Sequence, residues 1–141
     1  RYPQCSFVGV EIQPELAAYA ERNSALNSLG SRFTVLVGDY RQLFWEPRFS
    51  VVTANPPYFK VGSGRPSSNP SRWRARFEVD ATLAETIGTA AKALLNGGRF
   101  YLVHRYERLG EIKDLCTAVG LEPGVFQEID CSRTLVKARK V

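Results

Sequence analysis

Apolar residues along this chain alternate between two patterns, short unbroken runs of strand type and stripes spaced three or four apart. Cys5-Ser6-Phe7-Val8-Gly9-Val10 reads as a buried parallel strand that delivers Glu11 to its carboxyl end. Pro14 and Glu15 then open a helix, Pro14 where its missing N–H costs nothing and Glu15 near the positive end of the dipole. Leu16, Tyr19, Ala20 and Leu26 recur at helical spacing, and Gly30 ends the element. Phe33 to Val37 is a second strand running into Gly38-Asp39, and Tyr40 to Phe44 fits a short helix. After the turn Trp45-Glu46-Pro47-Arg48, the run Phe49-Ser50-Val51-Val52 makes a third buried strand. Pro56 and Pro57 stop it, because they fix φ and cannot donate to a ladder.

Asp80 is placed to cap a long helix whose Leu83, Ile87, Ala90, Ala91 and Leu94 form one apolar face, stopped by Gly97-Gly98. Arg99 to Val103 is the next strand, and a further helix carries Leu109, Ile112, Cys116 and Val119 on one face up to Gly120. Two strands, Val125 to Ile129 and Thr134 to Arg139, follow with no helix between them. The alternation predicts an α/β fold, a parallel sheet with helices on both faces and an antiparallel pair closing one edge. The 141 residues suit one domain with a real core.

At 44% hydrophobic and 23% charged, the composition is that of an ordinary globular protein. No apolar run is long enough for a membrane-spanning helix, and nothing at Arg1 resembles a signal peptide. Cys5, Cys116 and Cys131 are an odd number without metal-ligand spacing, which reads as free buried thiols in a reducing cytoplasm and no metal site. The net charge of +5 matters for where it sits. Lys60, Arg65, Arg72, Arg74 and Arg76 fall in one segment with no acidic residue, a pattern suited to a polyanion such as nucleic acid. Within it, residues 62–71 are rich in Gly, Ser and Pro and read as a mobile loop.

The chemistry centres on Asn55-Pro56-Pro57-Tyr58. At a strand's carboxyl end, where open α/β sheets bind ligands, the Asn55 side-chain oxygen can accept from an exocyclic amine. The proline-stiffened carbonyl of Pro56 offers a second acceptor for the same NH2 group, and Tyr58 can stack on the ring that carries it. An amine conjugated to a ring is a poor nucleophile, and two acceptors on its hydrogens favour the attacking geometry. No general base is needed before the attack, since such an amine becomes strongly acidic only once its new bond has formed. His104, the only histidine, reads as a surface or helix-entry residue.

This tetrapeptide is the signature of S-adenosylmethionine-dependent amino-methyltransferases, and the chain resembles the class I, Rossmann-like members of that superfamily from their second strand onward. The segments Arg74-Ala75-Arg76-Phe77-Glu78 and Tyr106-Glu107-Arg108-Leu109 are similar to bacterial tRNA adenine-N6 methyltransferases. The resemblance implies transfer of a methyl group to an adenine N6 in RNA, with Asn55, Pro56, Pro57 and Tyr58 as the catalytic corner. It implies Glu11 on the ribose hydroxyls of the donor, Asp39 on its adenine amine, the Tyr40 N–H on a ring nitrogen, and Asn55 beside the donor as well. Lys60, Arg65, Arg72, Arg74 and Arg76 become nucleic-acid contacts. The alternatives are a protein glutamine N5 methyltransferase, a DNA adenine methyltransferase, and a noncatalytic RNA-binding fragment.

The family's first strand and its glycine-rich loop, which wraps the methionine part of the donor, would precede Arg1. Gly62-Ser63-Gly64 has the right spacing in the wrong place, so the chain is expected to be N-terminally incomplete. The absent strand normally lies between those ending at Glu11 and Asn55. Either these two close on each other, or a second chain fills the gap, or the site stays incomplete. Isothermal titration of these 141 residues with S-adenosylmethionine is therefore expected to give weak or no binding; tight binding would contradict the expectation.

Overall fold

The computed structural model describes residues 4–63 and 68–141, without the side chain of Ser71. The chain divides into two compact units, Arg1–Phe44 and Trp45–Val141. In the first unit, β1 (Phe7–Glu11) pairs in parallel with β2 (Phe33–Val37), joined by helix α1 (Pro14–Leu26). Pro14 stands at the helix start as its fixed φ favours. The apolar positions of α1 do not form the buried face that their spacing predicts. Ala17 and Ser24 are buried, whereas Leu16, Tyr19 and Leu26 are exposed. Small residues let the helix approach its strands closely, and a two-stranded ribbon is too narrow to cover the larger ones. For the same reason β1 is parallel but not buried, with Phe7 exposed.

The expected helix at Tyr40 to Phe44 is a single turn instead, closed by Gln42 N–H donating to the Asp39 carbonyl at 3.0 Å. Asp39 Oδ1 takes the Arg41 N–H at 2.9 Å, a local bond that competes with helix continuation.

The second unit holds β3 (Phe49–Ala54), α2 (Pro70–Arg76), α3 (Leu83–Ala93), β4 (Leu94–Arg105), α4 (Leu109–Ala118), β5 (Leu121–Asp130) and β6 (Arg133–Lys140). Its sheet runs β3-β4-β6-β5, with β3 parallel to β4 and both β6 pairings antiparallel. The closing antiparallel pair is thus as the pattern predicts. Strand β3 is an edge strand and Val51 is exposed, so it is not the buried strand its composition suggests. Strands β1 and β3 belong to separate sheets and do not pair with each other. Pro123 falls on the other edge strand, β5, where its missing donor is tolerated.

The core alternates along β4 and β6, where Phe100, Leu102, Val136 and Ala138 pack with Leu83, Ile87 and Ala90 of α3 and with Ile112 and Cys116 of α4. Each of the Leu, Ile, Val and Phe side chains contributes roughly 1.5–3 kcal/mol by leaving water. Helix α3 is capped by Thr82, not Asp80. The Thr82 hydroxyl takes the Glu85 N–H at 3.2 Å while Glu85 returns a bond to the Thr82 N–H at 2.8 Å.

Helix α3 also ends earlier than its glycine stop suggests, because the backbone turns extended at Leu94 to pair with Phe49. Gly97 and Gly98 instead form an irregularity inside β4. A Cβ on Gly98 would stand 2.7 Å from the Leu95 carbonyl oxygen and 3.2 Å from that of Phe49, both unyielding backbone atoms. Gly97 has φ +75 but open space around it. Gly98→Ala is expected to lower unfolding free energy by about 3 kcal/mol, against about 1–2 kcal/mol for Gly97→Ala, where only the left-handed backbone is strained. Equal urea midpoints for the two variants would refute this account.

Candidate active site

Strand β3 makes its last parallel pairing at Ala54 with Leu102, so Asn55 lies just past a strand's carboxyl end. Asn55 is exposed, while Pro56, Pro57 and Tyr58 are half-buried. The Tyr58 hydroxyl donates to Asn55 Oδ1 at 2.7 Å. An amide oxygen has two lone pairs, so one acceptor site remains beyond this bond.

The chain after the prolines is pinned by backbone. The N–H groups of Tyr58 and Phe59 both donate to the Arg76 carbonyl, at 3.1 and 3.0 Å, and Glu78 N–H donates to the Phe59 carbonyl at 2.8 Å. These bonds form an isolated parallel bridge between Phe59 and Phe77. Arg76 closes α2, a helix that the sequence reading passed over within its basic segment. Asn69-Pro70 was its signal: Asn69 Oδ1 takes the Arg72 N–H at 3.1 Å and Pro70 opens the first turn.

His104 corrects its surface reading, since it is fully buried. It extends the period-two alternation Phe100, Leu102, His104 along β4, and that alternation was the available signal. Its ring meets Tyr58 edge to face at 5.4 Å, and Nδ1 accepts from Arg105 N–H at 2.9 Å. Nε2 therefore carries the proton and has no hydrogen-bond partner of ordinary geometry among the described residues. Burial first, and then the positive charge of Arg108, push the His104 pKa down to about 4. The ring beneath Tyr58 is thus neutral.

Lateral support comes from Arg108. It pairs with Glu78 and with Glu111, whose Oε2 and Oε1 it meets at 2.9 and 2.8 Å. The Arg74–Glu78 and Tyr106–Leu109 segments, which are distant in sequence, are joined by this pair. The basic segment itself is partly compensated. Lys60 lies 3.4 Å from Glu111 and Arg74 lies 3.6 Å from Asp80. Arg76 stands over the Phe59 ring at 5.7 Å, Arg72 is exposed, and Arg65 lies outside the described residues. Of the cysteines, only Cys116 is buried; Cys5 and Cys131 are exposed, contrary to the expected burial. Burial pushes the Cys116 thiol up to about 11, so it stays protonated.

Glu11 and Asp39 lie in the other unit, at the carboxyl ends of adjacent parallel strands, where Glu11 is level with Val37. Glu11 Oε1 takes the Gln13 N–H at 2.9 Å. A carboxylate offers about four acceptor sites, so this one fits a sugar diol. Asp39 is engaged more fully: Arg41 Nε lies 3.0 Å from each oxygen and an Arg41 terminal nitrogen 2.6 Å from Oδ2. That guanidinium holds the Asp39 pKa below the usual carboxylate range and keeps it an acceptor. Tyr40 follows at the start of the turn, half-buried.

A cleft of about 640 Å³ opens beside the Asn-Pro-Pro-Tyr corner, between Tyr58, Phe59 and Arg105 and the turn from Asp130 to Arg133. Sequence reasoning missed it, because the residues of the turn carry no motif. Among the described residues no three His, Cys, Asp or Glu groups gather as a metal site, and no helix is long and apolar enough to cross a membrane.

The fold is similar to that of class I, Rossmann-like methyltransferases among solved structures. Geranyl diphosphate C-methyltransferase from Streptomyces coelicolor A3(2), solved with S-adenosyl-L-homocysteine, matches 97% of this chain and 63% of its own at a TM-score of 0.71 and 9% identity. No family model matches the chain. Among curated relatives, the tRNA1(Val) (adenine(37)-N6)-methyltransferase of Porphyromonas gingivalis (strain ATCC BAA-308 / W83) is 30% identical over 80% of this chain and 46% of its own length. A release factor glutamine methyltransferase from Bordetella pertussis is 27% identical over 84% of this chain and 46% of its own. The chain thus spans about half the length of these relatives.

The buried neutral imidazole has a stability consequence. In the unfolded chain His104 titrates near 6.5, in the folded one near 4. As pH falls, the unfolded state takes up the proton first, so stability present above pH 6.5 is lost progressively toward pH 4. The loss is up to about 3 kcal/mol. Urea unfolding is expected to show it, and His104→Phe to remove the slope in that window; an unchanged slope would refute the burial.

Proposed function

We propose that the protein containing this chain transfers a methyl group from S-adenosylmethionine to the exocyclic N6 of an adenine in tRNA. The observation that carries the reading is the exposed Asn55 oxygen, oriented at 2.7 Å by the Tyr58 hydroxyl at the end of a parallel strand. The relatives named for adenine-N6 methylation of tRNA support the same substrate class.

In this reading, Asn55 Oδ1 uses its remaining lone pair to accept one amine hydrogen, and the Pro56 carbonyl accepts the other. Drawing on both hydrogens turns the nitrogen lone pair out of conjugation and toward the methyl group. Pro57 holds the corner rigid, and Tyr58 presents a ring face to the adenine while its hydroxyl keeps Asn55 in place. When bound, the methyl donor supplies an electrophilic carbon on a sulfonium. Glu11 would hold its ribose hydroxyls, Asp39 and the Tyr40 N–H its adenine, and Asn55 would border it. Lys60, Arg65, Arg72, Arg74 and Arg76 would meet tRNA phosphates or a flanking base. Such a protein would work in the cytoplasm.

A second reading, methyl transfer to the side-chain amide of a protein glutamine, is favoured by the release factor relative. It leaves the basic face of α2 without a role.

The test uses the full-length protein, labelled donor and unmodified tRNA. Label is expected in RNA. Asn55→Ala is expected to lower turnover by about 10²–10³-fold, and Tyr58→Phe by roughly tenfold without changing donor affinity. Label in protein alone would replace the first reading with the second. Undiminished turnover in Asn55→Ala would overturn both.

A further inference from the structure

We infer that the cleft between Tyr58-Phe59 and the Asp130–Arg133 turn binds the nucleotide next to the target on the RNA strand, with its phosphate on Arg105 and Arg133. The inference rests on the function proposed above and adds a site to it. The cleft, of about 640 Å³, is open to solvent, as a strand lying across the surface requires. Its lining places two aromatic rings beside two guanidiniums, each already balanced by one carboxylate, Arg105 by Glu107 and Arg133 by Asp130, so what it offers a phosphate is directed N–H donors and no net charge.

Both guanidiniums are held ready. Asp130 Oδ1 accepts from the N–H groups of Ser132 and Arg133, each at 3.0 Å, and Oδ2 accepts from Arg133 Nε at 2.7 Å. Glu107 takes Arg105 Nε at 3.0 Å and one terminal nitrogen at 2.7 Å. A guanidinium has five N–H donors, so each arginine is oriented by its carboxylate and keeps donors for a phosphate.

Phe59 marks where the base would rest. Arg105 stands 4.9 Å from its ring centroid and Arg76 5.7 Å, so the basic helix α2 and the cleft share one aromatic platform. A backbone passing from α2 to the cleft would meet oriented guanidinium donors along its path, with a base to stack on the Arg–Phe59 assembly. Asn55 is not part of the lining. The methylated base and the cleft's occupant are then neighbours on either side of Tyr58.

Cys131 supplies the probe, an exposed thiol within the lining, while exposed Cys5 in the other unit serves as internal reference. The full-length protein is alkylated with iodoacetamide, and the two cysteine-containing peptides are followed by mass spectrometry. A short RNA that the enzyme methylates is expected to slow Cys131 at least fivefold relative to Cys5. The same RNA with a neutral methylphosphonate at the linkage beside the target should lose that protection. Arg105→Gln and Arg133→Gln should each lower the slope of log affinity against log salt by about 0.7. If the wild-type protein methylates the RNA but Cys131 reacts at its free rate, or the slopes stand unchanged, the cleft proposal falls alone. If no RNA is methylated, the tRNA reading falls and the cleft with it.

Discussion

A strand that runs into two successive prolines has to leave its sheet, and the backbone groups beyond them must find other partners. Here the N–H groups of Tyr58 and Phe59 turn to the carbonyl of Arg76, and the Phe59 carbonyl accepts from the Glu78 N–H. The corner is thereby anchored on its far side by a segment almost twenty residues on in the chain. Proline rigidity fixes the direction of the Pro56 carbonyl, the backbone bridge fixes Tyr58, and the Tyr58 hydroxyl fixes Asn55. Orientation at this site is inherited from main-chain geometry, which a side-chain substitution elsewhere disturbs little.

Beneath the corner the protein places His104 where an aromatic or aliphatic residue would also fit. Buried and neutral, it offers Tyr58 an edge-to-face contact without a charge that would perturb the phenol. Beside it, Arg108 binds two glutamates at once and ties the end of the Phe77-Glu78 bridge to the start of α4. Removing one partner of such a largely buried pair would leave a charge uncompensated, so the network acts as a tie more than as a source of net stability.

The electrostatics are more balanced than the run of arginines suggests. Glu111 and Asp80 come back in space to meet Lys60 and Arg74, and Asp130 and Glu107 meet Arg133 and Arg105. Paired arginines are poor at long-range steering but good at presenting donors in fixed directions. Such an arrangement suits close recognition of a phosphate or base edge better than loose adhesion to a polyanion.

Most of the order of strands and helices was legible in the chain, because those elements carry their own period and stop signals, as at Pro14, the Pro56-Pro57 corner and Gly120; α2 was not, and the helix expected at Tyr40 to Phe44 is only a turn. That β3 ends just before Asn55 was legible for the same reason, since the two prolines that stop it are contiguous with it. Burial was not. Leu16, Tyr19 and Leu26 repeat like core residues yet face outward, Val51 sits on an edge strand, and His104 is buried where the sequence pointed to the surface. The Glu78–Arg108 tie and the cleft against Asp130–Arg133 were equally hidden. Each depends on which strands become neighbours, and that follows from summed packing over residues far apart in the chain, which no local pattern encodes.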